Sequence, residues 1–423
     1  GNMTIGLPVL GFLGQKGNQI IHGLPQKFID NLKARDAASE HRPCPLHMGI
    51  TLVEPEMVKT VGLEMLTEAG VDVVFYTFVA GTVMNDAGDE IRGVITESKS
   101  GRSAILAKVV IDCTGDADVA YRAGVPTEKG NEHGGMQPPT LMFGLSNVDT
   151  EKLRTSLSEQ SRTYLTDFIP AEYFGQNNQF IVVGLREIMD KARTERNLVI
   201  PNQRTIIITG LKKGEVWINM TRVIGTDGTD ARSLTNGEIV GRQQIDDIVE
   251  YLIDYVPGFE EAYFTKTAPF LGIHETRRIV GRYVMNQQDV LGCRHFPDSI
   301  AVASYPIDIH RPEDQDCTLI WCGDCYDIPY RSLVPQKVEN LLVAGRSISA
   351  THEAMGAIRV MATCMAMGEA AGRAAAIAVR DGIRPSEVNV HQLRRSLLEN
   401  DAYLRGLEGE RLTPETEFIA LHA

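Results

Sequence analysis

Reactive side chains are densest between residues 345 and 359, where Gly345-Arg346 opens and Gly356-Ala357-Ile358-Arg359 closes a stretch that holds His352-Glu353. An imidazole titrates near neutral pH, so His352, with Glu353 beside it, offers general acid or base help; a supporting role behind the reacting groups is the alternative. The stretch leads into a helix whose first turn, near residues 359–363, leaves N–H groups unpaired and presents the positive end of the helix dipole. Negative charge on a ligand is stabilised at such a place. An ordinary loop with solvated charges is the competing account.

Three further constellations carry potential chemistry. Val109-Val110-Ile111 reads as a short buried strand running into Thr114-Gly115-Asp116, which places N–H groups and a carboxylate at the carboxyl end of a parallel strand, where α/β sheets bind ligands. A plain turn is the simpler reading. In His274-Glu275-Thr276-Arg277-Arg278, the two guanidiniums suit bidentate capture of a carboxylate, with His274 and Glu275 alongside; a structural ion-pair cluster competes with that reading. Cys322-Gly323-Asp324-Cys325 has half-site spacing but no second cysteine pair, and His41, Cys44 and His47 are interrupted by Pro43 and Pro45. No metal site is expected from either pattern.

These groups need elements to hold them. Apolar spacing predicts a helix over 54–69, ended by Gly70, then a strand over 71–79. Strands at 81–85, 91–97 and 104–111, with turn signals between them, predict a β-meander. The middle, 134–336, reads as an α+β unit with strands at 205–209, 215–220 and 300–303 and helices at 149–168 and 238–255. A strand over 340–344 enters the Gly345 turn, and a helix over 361–380 carries Gly368, Gly372 and Ala376 on one face, where another element is expected to approach closely. The expected domains are 1–133, 134–336, 337–380 and a helical extension, 381–423.

A formal charge of −13 without a long basic run opposes binding to nucleic acid. Charges or glycines interrupt every apolar run short of the ~20 residues needed to cross a bilayer, so no membrane partner is expected. Seven cysteines without scaffold spacing suit a reducing compartment and a cytoplasmic location; a secretory leader would precede residue 1.

Asp112-Cys113-Thr114-Gly115-Asp116, Leu341-Leu342-Val343-Ala344-Gly345-Arg346, His352-Glu353-Ala354-Met355-Gly356 and Ile328-Pro329-Tyr330-Arg331 recur in one order along nearly the whole chain. In this it resembles the FAD-dependent oxidoreductase family of the glutathione-reductase-like flavoprotein class. The resemblance implies an α/β fold, with an FAD-binding, Rossmann-like doubly wound parallel sheet, a β-meander and an α+β substrate or cap domain. It implies FAD as cofactor and hydride transfer between flavin N5 and a small organic substrate, for which the paired arginines suggest a carboxylate. The flavin-side contacts it implies are Asn2, Thr4, Val79, Thr114, Gly115, Asp116, Gly345, Arg346, Gly356 and Ala357. The catalytic candidates are His352, Glu353, Arg277, Arg278 and His274, although the family pattern usually has Arg where His274 stands. The family's first strand and Gly-x-Gly-x-x-Gly turn have no counterpart here, since Gly11, Gly14 and Gly17 have the wrong spacing. The chain is therefore expected to be truncated, to expose Val110 and Val343, and to associate as a homo-oligomer. A non-catalytic chain that retains FAD weakly or not at all, and a flavin monooxygenase, are the alternative readings.

Overall fold

The structure, a computed structural model, describes residues 2–159 and 162–406. Its centre is a parallel pair, Val110–Asp112 beside Leu341–Val343, in the register Leu341 to Val110 and Val343 to Asp112. Both strands are short apolar runs, as strands covered on two faces tend to be. The helix Met361–Asp381 lies against both of them. The expected α/β class is realised, and this pair is the parallel layer among the described residues.

The meander consists of Thr77–Met84, Ile91–Ser98 and Gly101–Leu106, paired antiparallel in that order. The strand expected over 71–79 is corrected. Residues 71–76 form no strand, and Tyr76 turns into the left-handed region at φ 54° with its side chain 95% exposed. Strand-forming residues need a neighbouring strand to satisfy their backbone, and none flanks 71–76 among the described residues. The helix ahead of them is Pro55–Glu68, capped by the Glu54 side chain accepting from Met57 N at 2.8 Å and ended where Gly70 takes φ 71°.

The middle carries a five-stranded antiparallel sheet in the order Ile181–Gly184, Thr205–Thr209, Val216–Ile218, Phe143–Ser146, Tyr263–Thr267. Its outer strand is bulged between Phe264 and Lys266. The helix Ala231–Tyr255 buries Gly237, Gly241, Ile245, Ile248 and Leu252, a stripe at helical spacing. Tyr251 pins it to the sheet through a 2.6 Å bond between its hydroxyl and that of Thr205. This helix starts before residue 238 because Asp230 caps it, accepting from Ser233 N at 2.7 Å. The helix expected over 149–168 is Thr150–Ser158 only. Beyond it Thr166 bridges to Gly184 and Phe168 adopts φ 63°, so the sheet edge claims the chain instead.

The other strands and helices fall close to expectation, with Ser299–Ala303 paired to Tyr326–Pro329. A hydrophobic cluster joins that pair (Ile300, Tyr326) to Met367, Ala371, Ala374 and Ile377 of the long helix and to Leu393 and Leu397 of the helix Val390–Leu398. The buried face of the long helix is thus not its glycine face. A Cβ at Gly368 or Gly372 would meet nothing within 4 Å, so the expected close approach there is absent. Val343 is likewise corrected: it is 0% exposed, sealed by Ile91, Ala117, Val119 and Val338, while Val110 is half-buried. Of the helical extension, residues 407–423 lie outside the described residues. No described helix is long and apolar enough to cross a membrane.

Asn340 couples the meander to the parallel pair. Its Oδ1 accepts from Ile91 N at 2.8 Å, and its Nδ2 donates to Ile91 O at 2.8 Å and Lys108 O at 3.0 Å. Replacing it strands the buried N–H and C=O of Ile91 and removes the tie to the Lys108 carbonyl. Asn340→Leu is expected to lower the unfolding free energy by roughly 2–4 kcal/mol in a denaturant titration. A loss under about 0.5 kcal/mol would show that the meander is held elsewhere.

Candidate active site

At the carboxyl end of the parallel pair the chain turns sharply under the control of one buried carboxylate. Asp112 Oδ1 accepts from Thr114 N at 2.9 Å and from Thr114 Oγ1 at 2.7 Å, and its Oδ2 accepts from Ala120 N at 2.9 Å. Gly115 follows at φ 81°, and a Cβ there would lie 2.5 Å from Arg346 Nη1, so both the turn and the arginine require glycine. Arg346 Nη2 pairs with Asp116 Oδ1 at 2.7 Å, and Thr276 Oγ1 donates to the same oxygen at 2.6 Å. The two sequence motifs therefore meet, as their order along the chain implies. The Nε of Arg346 is buried without a hydrogen-bond partner.

The candidate arginines of the middle segment are committed elsewhere. Arg277 donates to Asp118 Oδ1 at 3.0 Å and to Asp116 O at 3.2 Å, with its guanidinium 4.1 Å from the Tyr121 ring centroid. Arg278 pairs with Glu275 and donates to Ala350 O and Gly130 O, both at 2.9 Å. Glu275 also accepts from His352 Nδ1 at 2.9 Å and Gln137 N at 3.2 Å. Arg277, Arg278, Glu275 and His352 are all buried and consumed in tying segments together. Glu353 is half-buried and makes no hydrogen bond or ion pair among the described residues.

Of the flavin-side candidates, Thr4 and Gly345 line a groove of about 300 Å³ with Met3, Cys113, Ala344, Met361, Cys364, Met365 and Gly368. Gly356 and Ala357 do not reach it. A Cβ on Gly356 would stand 2.6 Å from Ile309 Cδ1, and Ala357 O accepts from Tyr326 Oη at 3.0 Å, so Gly356 packs on the strand Ile307–His310 and Ala357 is tied to the strand Tyr326–Pro329. Val79 is half-buried in the meander cluster. Asn2 sits in the 3-10 turn Asn2–Ile5, its side chain lying outside what is described.

A second cavity, of about 120 Å³, opens between the five-stranded sheet and the junction of the helices His352–Ile358 and Met361–Asp381. Its apolar wall includes Ile181, Val183, Ile206, Ile208 and Leu319, with Leu7, Leu10 and Val360 on the far side. Its polar lining comprises Arg204, Arg222, Arg359, His47, His274, His310, Tyr305, Asp308 and Cys317, with the amides Asn202 and Asn219. His274 alone of the five catalytic candidates faces this space.

The polar lining is strongly conditioned by burial. His274 and His310 stack at 4.4 Å, and burial holds both well below the usual imidazole range, with Arg359 beside both rings and Arg222 beside His310 adding to it. His47 stacks on Tyr305 and burial pushes it down to about 4. These rings are therefore neutral. His274 Nδ1 lies 2.9 Å from Pro138 O, which only accepts, so Nδ1 carries the proton and Nε2 is the free acceptor. Tyr305 donates to Asp308 Oδ2 at 3.1 Å, and burial and that carboxylate push its phenol well above its usual range. Arg204 is neutralised by Asp167 at 2.7 Å and by Asp316.

The thiols are structural. Burial pushes Cys322 up to about 11 and Cys325 to about 12, which keeps both protonated. His41 stacks on Phe12 and bonds Thr51 Oγ1 at 2.6 Å, apart from the contact between Cys44 and His47. Among the described residues no group of three or more His, Cys, Asp or Glu side chains is placed to hold a metal ion.

The family model described as FAD dependent oxidoreductase matches residues 1–397. No curated protein matches the sequence. Among solved structures, L-proline dehydrogenase from P. horikoshii is similar at 12% identity and TM-score 0.34, with 84% of this chain and 62% of that one covered. p-Nitrophenol 4-monooxygenase from Pseudomonas putida follows at 13% identity and TM-score 0.33, covering 66% and 54%. A geranylgeranyl bacteriochlorophyll reductase-like protein from Thermoplasma acidophilum gives 11% and 0.39, covering 94% and 67%. The chain thus spans less than two thirds of the length of the first two.

The neutral histidines make stability depend on pH. The unfolded chain takes up their protons near pH 6.5, whereas folded His41 and His47 do so only near 4 and His274 and His310 well below 6.5. Their stabilising contribution is fully present above the unfolded value and is lost as pH falls through that window. Unfolding free energies measured across it are expected to drop steadily. His47→Gln removes one such group and should flatten the slope by up to about 1.4 kcal/mol per pH unit; an unchanged slope would mean that His47 is protonated in the folded protein.

Proposed function

Because the chain belongs to the FAD dependent oxidoreductase family, we propose that it transfers a hydride between flavin N5 and a small organic substrate held in the cavity beneath the five-stranded sheet. The observation that carries this reading is the position of Met361. It lines both the groove at the carboxyl end of the parallel pair and the cavity, so the two spaces adjoin at one side chain.

FAD is the family's cofactor, and the groove has features that fit its ring. Gly345 and Gly368 line it, and a Cβ at either would meet nothing within 4 Å, so their bare backbone leaves room for a planar group. Nearby, Arg346 Nε and Thr363 Oγ1 are buried donors without partners. Val360 caps the long helix without a side-chain acceptor, so its first N–H groups and positive dipole end point toward developing negative charge. Thr4, Gly345, Arg346 and the first turn at residues 361–363 would hold the ring. Bound there, FAD supplies the redox chemistry, with N5 as hydride donor or acceptor.

The chain's own part is to position the substrate, exclude water and manage a proton. The apolar wall of Ile181, Val183, Ile206 and Ile208 keeps the cavity dry, which strengthens every polar contact within it. Oxidation of a substrate C–H next to a heteroatom releases a proton as well as a hydride. The cavity offers two acceptors for it, His274 Nε2 and the Asp308 carboxylate.

Purified protein is expected to show the visible bands of bound flavin, and small organic substrates are expected to bleach them without oxygen. Gly345→Val forces a branched side chain to adopt φ 96° and fills the groove, so it should lower flavin per polypeptide at least tenfold, equivalent to about 1.4 kcal/mol. A colourless protein that free FAD does not reconstitute sinks the proposal. Bleaching by a nicotinamide only, with substrate needed for oxygen consumption, would instead support a monooxygenase.

A further inference from the structure

The cavity carries a charge pattern that specifies its ligand more narrowly than the reading above, on which the following inference rests. Arg222 is 4% exposed and is solvated by main-chain carbonyls rather than by a counter-ion. Its Nε donates to Asp314 O at 3.0 Å, and its Nη2 donates to Arg311 O and Asp316 O, both at 2.8 Å. Its Nη1 has only His310 Nδ1, at 3.5 Å. No carboxylate lies within ion-pair distance of it among the described residues, in contrast to Arg204. Arg359 is only loosely held: Nη2 reaches Asp308 O at 3.1 Å and Gln137 Oε1 at 3.4 Å, the Asp308 carboxylate is 3.7 Å away, and Nε is buried with no partner. A buried guanidinium without an anion is costly, and buried donors without acceptors call for a missing group.

The two kinds of lining are also sorted in space. Arg204, Ile206 and Ile208 point to one face of their strand, and pairing sets Val183 beside Ile206 and Ile181 beside Ile208. Two apolar rows therefore lead up to the arginine end, about 13 Å from Ile208 to Arg204 along the backbone. The single carboxylate of the lining, Asp308, is already engaged by Tyr305, so it does not answer Arg222. The histidines stay neutral and add donors and acceptors without adding charge. The cavity volume of about 120 Å³ is slightly below that of an engineered cavity of about 150 Å³ that takes up benzene.

We infer that the cavity receives a small monocarboxylic acid whose carboxylate lies between Arg222 and Arg359 and whose compact apolar body lies over Ile181, Val183, Ile206 and Ile208. A second carboxylate on the ligand would face those aliphatic side chains without a partner, so dicarboxylates are excluded by the same wall.

The test uses three probes of similar size on the purified full chain: isovalerate, its uncharged amide isovaleramide, and succinate. Melting temperature is followed against probe concentration, since a ligand that binds only the folded state raises it by mass action. Isovalerate is expected to give a saturable upward shift, and isovaleramide and succinate at equal concentration less than about a third of it. Arg222→Gln should abolish the isovalerate shift, and Arg222→Lys, which keeps the charge but loses the fork, should weaken it about tenfold in apparent affinity. Because Arg222 also holds three carbonyls, Arg359→Gln is the second variant, expected to weaken binding by a similar factor. Equal shifts from isovalerate and isovaleramide, an equal shift from succinate, or a shift that survives both glutamine variants would overturn the assignment. The visible spectrum of the same samples separates the two claims. Absence of flavin counts against the proposed redox function, and the wild-type ranking of the three probes alone decides the ligand class.

Discussion

One buried carboxylate holds the two halves of the molecule in register. Glu275 receives the Arg278 guanidinium, the His352 ring and the Gln137 amide, while Arg278 continues to Gly130 O and Ala350 O. Segments near residues 130–137, 275–278 and 350–352 thus share one network with hardly any access to water. Such a cluster tolerates no partial dismantling: taking one partner away leaves a charge in low dielectric, at a cost of about 3–5 kcal/mol. The helix His352–Ile358 begins at this network and ends at Arg359, so the placement of that guanidinium in the cavity follows from it.

The two exposed-looking halves of the candidate site use opposite solutions to the burial of arginine. Arg346 is matched to Asp116 and Arg204 to Asp167 and Asp316, which neutralises them before any ligand arrives. Arg222 is held by the partial charges of three carbonyls, which fix its orientation but leave its formal charge in place. Preorganised cations of this kind need no rearrangement when an anion binds, and their field is undiluted by solvent. Burial lowers the proton affinity of Arg222 itself and of its neighbour His310, in which Arg359 and Arg222 join, and this keeps the ring neutral beside the guanidinium.

How much of this was legible in the sequence depends on whether the signal was local. The turn at Thr114-Gly115-Asp116 and the strand into Gly345-Arg346 were readable because each is a contiguous run with its own glycine, and the structure does bring them together. The long helix was readable from its periodicity. The cavity was not, because Arg204 and Arg222 are far in sequence from Tyr305, Asp308 and His310, which lie in and just before the strand Ile307–His310, and only tertiary packing brings the two groups together. The local hints were the row Arg204, Ile206, Ile208 and the run Tyr305, Asp308, His310. His352, Arg277 and Arg278 looked reactive by type, yet their geometry spends them on structure. Residues 71–76 failed for the converse reason, since β-propensity expresses itself only against a partner strand.

The bulge in the outermost strand of the five-stranded sheet bears on how the protein meets its neighbours. Tyr263–Thr267 is an edge, with Tyr263 and Phe264 exposed and one row of backbone groups unclaimed by another strand of the sheet. A flat edge of that composition is a template for further strands from other molecules. The irregularity between Phe264 and Lys266 breaks the repeat of donors and acceptors, and Lys266, whose ammonium lies 4.6 Å from the Trp217 ring centroid, puts a cation at the break. An incoming strand would find neither a continuous ladder nor an uncharged surface, so the sheet terminates itself instead of seeding aggregation.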